Sequence, residues 1–145
     1  VVYRGLHCPI CYHYLADLKR KVDNFQSRGV DVFVLSSDDA QRAAQAKEEW
    51  ELNELKMGYG LTLEKAQEWG LYISSGRGKT SAGIEEPSLF VEPGTFLVRP
   101  DQTLYFATVQ TMPFARPSFG DILKAIDFVV AKDYPARGEV TEIGV

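Results

Sequence analysis

Cys8 and Cys11 stand in the run His7-Cys8-Pro9-Ile10-Cys11 and are the only two cysteines of the chain. In a helix this spacing puts the second sulfur one turn beyond the first, close enough to form a small disulfide. The pair follows a short apolar segment, Val1-Val2-Tyr3, and precedes a long amphipathic pattern. At a helix N-terminus, unpaired N–H groups and partial positive charge stabilise a thiolate on the first cysteine. Such a setting lowers a cysteine pKa from about 8.5 to roughly 3.5–7.5. Cys8 is therefore the expected nucleophile and Cys11 the resolving thiol. A mixed disulfide on Cys8 would be released by Cys11, and a sulfenic acid on Cys8 would condense with it. The plain alternative is a pair of buried, inert thiols. A zinc site needs four ligands, and only the local His7 and His13 accompany the cysteines, so neither a metal nor another cofactor is expected. His7 adjoins the nucleophile and adds positive charge if protonated, whereas His13 reads as an ordinary helix residue.

Residues 1–4 predict a buried strand broken by Gly5. From Pro9 to about residue 28 the apolar positions Cys11, Tyr14, Leu15, Leu18, Val22 and Phe25 keep the helical period, with Pro9 suited to the first turn and Gly29 ending the helix. Residues 30–35 predict a second, mostly apolar strand. Ser36-Ser37-Asp38-Asp39 offers helix caps for residues 40–52. Residues 55–59 read as a short edge strand, and Thr62 caps a short helix that stops at Gly70. Residues 74–93, punctuated by Gly76, Gly78, Gly83, Pro87 and Pro93, predict one long loop. Within it, Gly76-Arg77-Gly78-Lys79 lacks phosphate-loop spacing and reads as a flexible basic stretch. Residues 95–99 and 104–109 predict a β-hairpin. A last helix from about residue 118 to 132 carries the stripe Phe119, Ile122, Leu123, Ile126, Val129 and Val130. Trp50 and Trp69 read as core or interface residues. Leu89, Phe90, Met112 and Phe114 form an apolar edge suited to a substrate groove or a homodimer contact.

The 145 residues suit one domain, 1–145. The chain opens inside a strand pattern, so a missing N-terminal segment is expected. With 16 Lys and Arg against 20 Asp and Glu, the net charge is −4, and no basic stripe is available for nucleic acid. No apolar run approaches the ~20 residues that span a bilayer. Two adjacent cysteines cannot staple a secreted framework, so a reducing, cytoplasmic setting is expected.

A β-α-β order with Cys-x-x-Cys at the first helix, then a hairpin and a final helix, is the thioredoxin plan. The expected fold is α/β, a thioredoxin-like three-layer α/β/α arrangement with a central mixed sheet. The chain resembles the peroxiredoxin-like proteins of the alkyl hydroperoxide reductase/thiol-specific antioxidant superfamily. The resemblance spans nearly all of the chain and rests most on residues 3–11, Arg77-Gly78-Lys79-Thr80, the hairpin, and Gln110-Thr111-Met112-Pro113-Phe114-Ala115-Arg116-Pro117. It implies a Thr or Ser three residues before the first cysteine, where this chain has Gly5. It also implies an Arg before the hairpin, where this chain has Pro93-Gly94-Thr95. In that family the two residues orient and polarise the peroxide. The thioredoxin plan further implies a Trp before the first cysteine, where His7 stands, and a cis-proline, for which Pro93 or Pro87 is the candidate. It brings residues 111–117 toward Cys8, so Arg116 would lower a thiol pKa or hold an anionic substrate, unless it is a plain surface arginine. Arg4, His7, Pro9, Pro93 and Arg116 are accordingly the candidate substrate-binding set.

The leading expectation is a thiol–disulfide oxidoreductase acting on a protein or small-molecule disulfide. A thiol peroxidase using the same pair is the alternative, and a non-catalytic redox-sensing module is a third. The resemblance implies thioredoxin as reductant, and the Cys-Pro-x-Cys spelling implies glutathione.

Overall fold

The computed structural model describes residues 1–144. Helix α1 (Pro9–Gln26) is followed by β1 (Phe33–Val34), α2 (Ala40–Glu49), β2 (Lys56–Met57) and α3 (Leu63–Glu68). Strands β3 (Ile73–Ser75), β4 (Leu89–Val91), β5 (Gly94–Val98) and β6 (Leu104–Val109) lead to α4 (Phe119–Lys132).

Val2 is the hinge of the central sheet. It bridges Leu35 in parallel and Gly94 antiparallel. It thereby joins the parallel β1–β2 pair to the antiparallel β5–β6 hairpin. The sheet is therefore mixed, in the order β2, β1, Val2, β5, β6. Only this bridge forms where residues 1–4 predict a strand, and β1 is shorter than the predicted 30–35. Regular pairing is confined to the short stretch where neighbouring backbones lie alongside each other.

Alternation along the central strands makes the three layers. Tyr3, Val34 and Leu97 point into one apolar cluster, while Val2, Leu35 and Phe96 point into the other. Successive strand residues face opposite sides of a sheet, so each short strand feeds both cores. The first core takes Leu15, Leu18, Val22 and Phe25 of α1 with Phe119, Ile122, Leu123 and Ile126 of α4. The second takes Ala66 of α3 with Leu61, Leu71 and Val91. The helix stripe expected for α1 is the one buried. That of α4 is shorter than expected, because Val130 is 74% exposed beyond the end of the contact.

The segment 74–93 is not a loop throughout. β3 and β4 pair antiparallel, with Ile73 opposite Val91, and Lys79 bridges Glu85 nearer the tip. The Gly76-Arg77-Gly78-Lys79 stretch is accordingly held. The Gly76 N–H donates to Ser88 O at 2.9 Å, and the Arg77 N–H donates to the Glu86 carboxylate at 2.9 Å. Glycines and prolines hid this hairpin, since they weaken strand patterning even where backbone pairing is satisfied.

Candidate functional site

The turn between the Val2 bridge and α1 carries the two sulfurs. Cys8 is the N-cap of α1, and its Sγ accepts the Cys11 N–H at 3.3 Å. Pro9 follows at the first helical position, where its missing N–H leaves no bond unmade. Both thiols are free. Cys8 is 2% exposed and Cys11 is fully buried in the first core.

Arg116 arrives from the segment after the β5–β6 hairpin. Its Nη2 donates to Cys11 Sγ at 3.3 Å, and its Nε donates to Pro113 O at 2.9 Å. The guanidinium lies 4.4 Å over the Tyr14 ring, whose hydroxyl donates to Pro117 O. The cation is thus aimed at the second cysteine, not the first.

The two thiols titrate as a pair. Cys8 is pushed up, because its thiol is hydrogen-bonded to Cys11 and because burial disfavours its charge. Burial also acts against ionisation of Cys11, but the Cys8 hydrogen bond, Arg116 and the Arg4 N–H outweigh it and hold Cys11 down at about 7. The helix terminus is expected to place the charge on Cys8; the surroundings of the buried pair favour it on Cys11. The helix supplies Cys8 with one N–H, whereas Cys11 receives the Arg116 guanidinium.

Arg4 is held by a buried carboxylate. Its Nε and Nη2 clasp the buried Glu92 carboxylate at 2.6–3.0 Å, and its guanidinium stacks 4.9 Å from the centre of the Phe90 ring. Ser74 adds a hydroxyl to Glu92 at 3.0 Å. Pro93 packs in the interior; its carbonyl accepts the Gln110 N–H at 3.0 Å, and no cis peptide occurs among the described residues. The cis-proline expected there is therefore absent. Of the apolar edge, Phe90 is buried while Phe114 is exposed. Phe114 lines a groove of about 290 Å³ with Ile10, Tyr14, Pro113 and Arg116.

His7 is fully buried, edge-on to Phe90, and neither ring nitrogen has a hydrogen-bond partner. Burial pushes its pKa down to about 4 against a weaker pull from Glu86. At neutral pH it is uncharged and so adds no positive charge beside Cys8. In the unfolded chain it would take its proton near pH 6.5. Between those values the unfolded state binds more protons, so stability is complete above about pH 6.5 and falls toward pH 4. The loss is at most about 3 kcal/mol. Urea midpoints from pH 7 to 4 are expected to fall less steeply for His7→Gln than for wild type. Parallel curves would show that His7 does not carry the effect.

Asp38 was hidden in what reads as a capping cluster. Asp39 makes the cap of α2, while Asp38 is buried and accepts the Leu6 N–H at 2.8 Å. Its Oδ1 lies 3.5 Å from Arg42 Nε, and burial pushes its pKa up. A Cβ on Gly5 would lie 2.7 Å from that Oδ1. The carboxylate thus fills the space beside the position where the family resemblance implies Thr or Ser. Nothing in the sequence separates Asp38 from Asp39; only the turn that brings Leu6 to it does.

Among the described residues, no group of three or more His, Cys, Asp or Glu side chains is arranged to hold a metal, and no helix is long and apolar enough to cross a membrane. Among solved structures, the chain is similar to a cysteine-to-serine mutant of peroxiredoxin 6 from Arenicola marina. The two are 20% identical with a TM-score of 0.68, over 99% of this chain and 71% of that one. It is also similar to Mycobacterium bovis AhpC, at 17% identity and a TM-score of 0.61, over 96% and 71% of the two chains. Reduced Prx3 from Vibrio vulnificus in complex with hydrogen peroxide gives 16% identity and a TM-score of 0.65, over 86% and 77%. At these identities the likeness establishes the thioredoxin-like fold. A search of curated proteins returned no match. The model of the AhpC/TSA family matches residues 1–107. With that match over most of its length and both cysteines inside it, the chain belongs to the AhpC/TSA family, the alkyl hydroperoxide reductases and thiol-specific antioxidants, and is an enzyme of peroxiredoxin-type thiol chemistry.

Proposed function

We propose that the protein reduces peroxides through a Cys8–Cys11 dithiol cycle. The observation that carries this reading is the junction itself: Cys8 capping α1, Cys11 bonded to it one turn on, and Arg116 against the second sulfur. The pair holds one negative charge near neutral pH. Proton transfer from Cys8 to the Cys11 thiolate leaves Cys8 as thiolate, with the Cys11 N–H donating to it. Cys8 then attacks one peroxide oxygen; the O–O bond breaks and the other oxygen leaves as an alcohol or water, taking the proton held on Cys11 and so returning Cys11 to the thiolate. Cys8 is now a sulfenic acid. Cys11 attacks that sulfur, the S–S bond forms, and the oxygen departs as water. An external thiol, of the thioredoxin or glutathione kind, returns the disulfide to two thiols.

The burial of the two cysteines supports these roles. Cys8 keeps the small exposure and Cys11 has none, so the incoming oxidant meets Cys8. Hydrogen peroxide fits a sulfur this closed, and the Vibrio vulnificus relative carries that molecule. A protein disulfide requires the turn to open first. The second reading, thiol–disulfide exchange, is favoured by the Cys-x-x-Cys spacing and uses the same two sulfurs.

Rapid mixing of the reduced protein with micromolar hydrogen peroxide tests the first reading. Loss of both free thiols and formation of an intramolecular disulfide within seconds is expected, with slower oxidation by a small disulfide such as oxidised glutathione. If peroxide acts no faster than on free cysteine while the disulfide reacts promptly, exchange replaces peroxide reduction as the function.

A further inference from the structure

Arg116 sits on the wrong sulfur for a residue that activates the first attack. Its Nη2 bonds Cys11, the thiol deepest in the core, at 3.3 Å. Its other contacts fix it there. The Nε is held by Pro113 O and the guanidinium plane rests on Tyr14, so the fork cannot swing toward Cys8 without losing both. The segment ends at Ser118, the cap of α4, which anchors the arginine to the helix that packs against α1.

We infer that Arg116 is a positioning residue for the second half of the cycle: it holds Cys11 as a thiolate, and so sets how fast the disulfide closes and how readily it is reopened. The inference rests on the dithiol cycle proposed above. In the closing step the Cys11 lone pair forms the S–S bond, the S–O bond of the Cys8 sulfenic acid breaks, and hydroxide leaves to become water. Only the thiolate is nucleophilic, so the rate follows its population. A cation within ~4–6 Å favours the charged form by one to three pKa units. In the reverse direction, stabilising the reduced thiolate makes the disulfide easier to reduce, as a buried disulfide needs to be if it is to turn over.

The groups facing Cys11 are few. Cys8 stands one helical turn before it, the Arg4 guanidinium acts on it through its field, Arg116 gives a direct bond, and the buried Tyr3 hydroxyl lies within electrostatic reach. Glu92 at 2.6 Å already pairs the Arg4 charge. Arg116 forms no ion pair within 4.0 Å among the described residues, and its Nη1 is buried without a hydrogen-bond partner. It is therefore the cation available to offset the thiolate.

The test separates this role from the cycle it serves. Ultraviolet thiolate absorbance is followed against pH in Cys8→Ser, whose hydroxyl keeps a hydrogen-bond donor beside Cys11. The same measurement follows in Cys8→Ser with Arg116→Gln or Arg116→Lys. Glutamine is expected to move the Cys11 step up by about one to two pH units, and lysine to restore part of the shift. With both cysteines present, Arg116→Gln is expected to slow disulfide closure about tenfold at neutral pH. Sulfenic acid on Cys8, trapped by a dimedone probe, would then accumulate. An arginine that only braces the fold would lower the melting temperature and leave the Cys11 step in place, and that result would overturn the inference. If wild type forms no disulfide with peroxide, the peroxide reading fails, while the Cys11 titration still decides the part played by Arg116.

Discussion

A Cys8→Ser variant is expected to lose peroxide turnover by roughly three orders of magnitude or more, because a hydroxyl of ordinary pKa replaces the attacking sulfur. The Cys11→Ser variant is expected to behave differently. It reduces one equivalent of peroxide and then stalls, with Cys8 held as a sulfenic acid that dimedone labels and an external thiol slowly clears. The contrast follows from the site. Cys8 keeps the small exposure of the two residues, and Cys11 is fully buried in the core. Steady-state turnover and mass spectrometry of the intact protein distinguish the two variants. Unchanged turnover in Cys11→Ser would sink the two-thiol cycle, and survival of activity in Cys8→Ser would move the attack to Cys11.

The second large effect is expected at Gly5. Its φ is +139°, a conformation that β-branched residues avoid, and a Cβ there would meet the Asp38 carboxylate at 2.7 Å. Gly5→Thr, which installs the residue type that the family resemblance implies, is expected to destabilise the protein. Backbone strain of about 1–3 kcal/mol adds to overpacking of about 1–3 kcal/mol. The melting temperature would drop on the order of 10 °C. Pairing the change with Asp38→Ser removes the colliding oxygens and is expected to return the packing part of the loss but not the strain. A Gly5→Thr protein as stable as wild type, measured by thermal or urea unfolding, would show that the turn can adopt another path. A buried carboxylate occupies the space and fixes the turn through the Leu6 N–H.

Much of the scaffold was legible in the chain because it depends on local pattern. The stripe of α1, Pro9 in its first turn and the Thr62 and Ser118 caps all follow from spacing and from side chains that bond their own helix ends. The β5–β6 hairpin follows in the same way from two apolar runs around a turn. The β3–β4 hairpin did not, since its strands are three residues each and its links are backbone bonds that glycine and proline disguise. The strand around Val2 is likewise a single residue with two bridges, to Leu35 and Gly94, and no pattern of three apolar residues announces which neighbours it will have.

From the residues alone came the two sulfurs, their spacing, and the helix that one of them caps, because these concern atoms within one turn of chain. The placement of charge belongs to contacts between distant segments. Arg116 is 105 residues from Cys11 and reaches it only because the hairpin folds back over α1. His7 is made neutral by Phe90 and the closing β3–β4 arm. The Arg4 guanidinium is paired with Glu92, which is 88 residues on. Short-range spacing names the groups that can react; burial and long-range pairing decide which of them carries the electron pair.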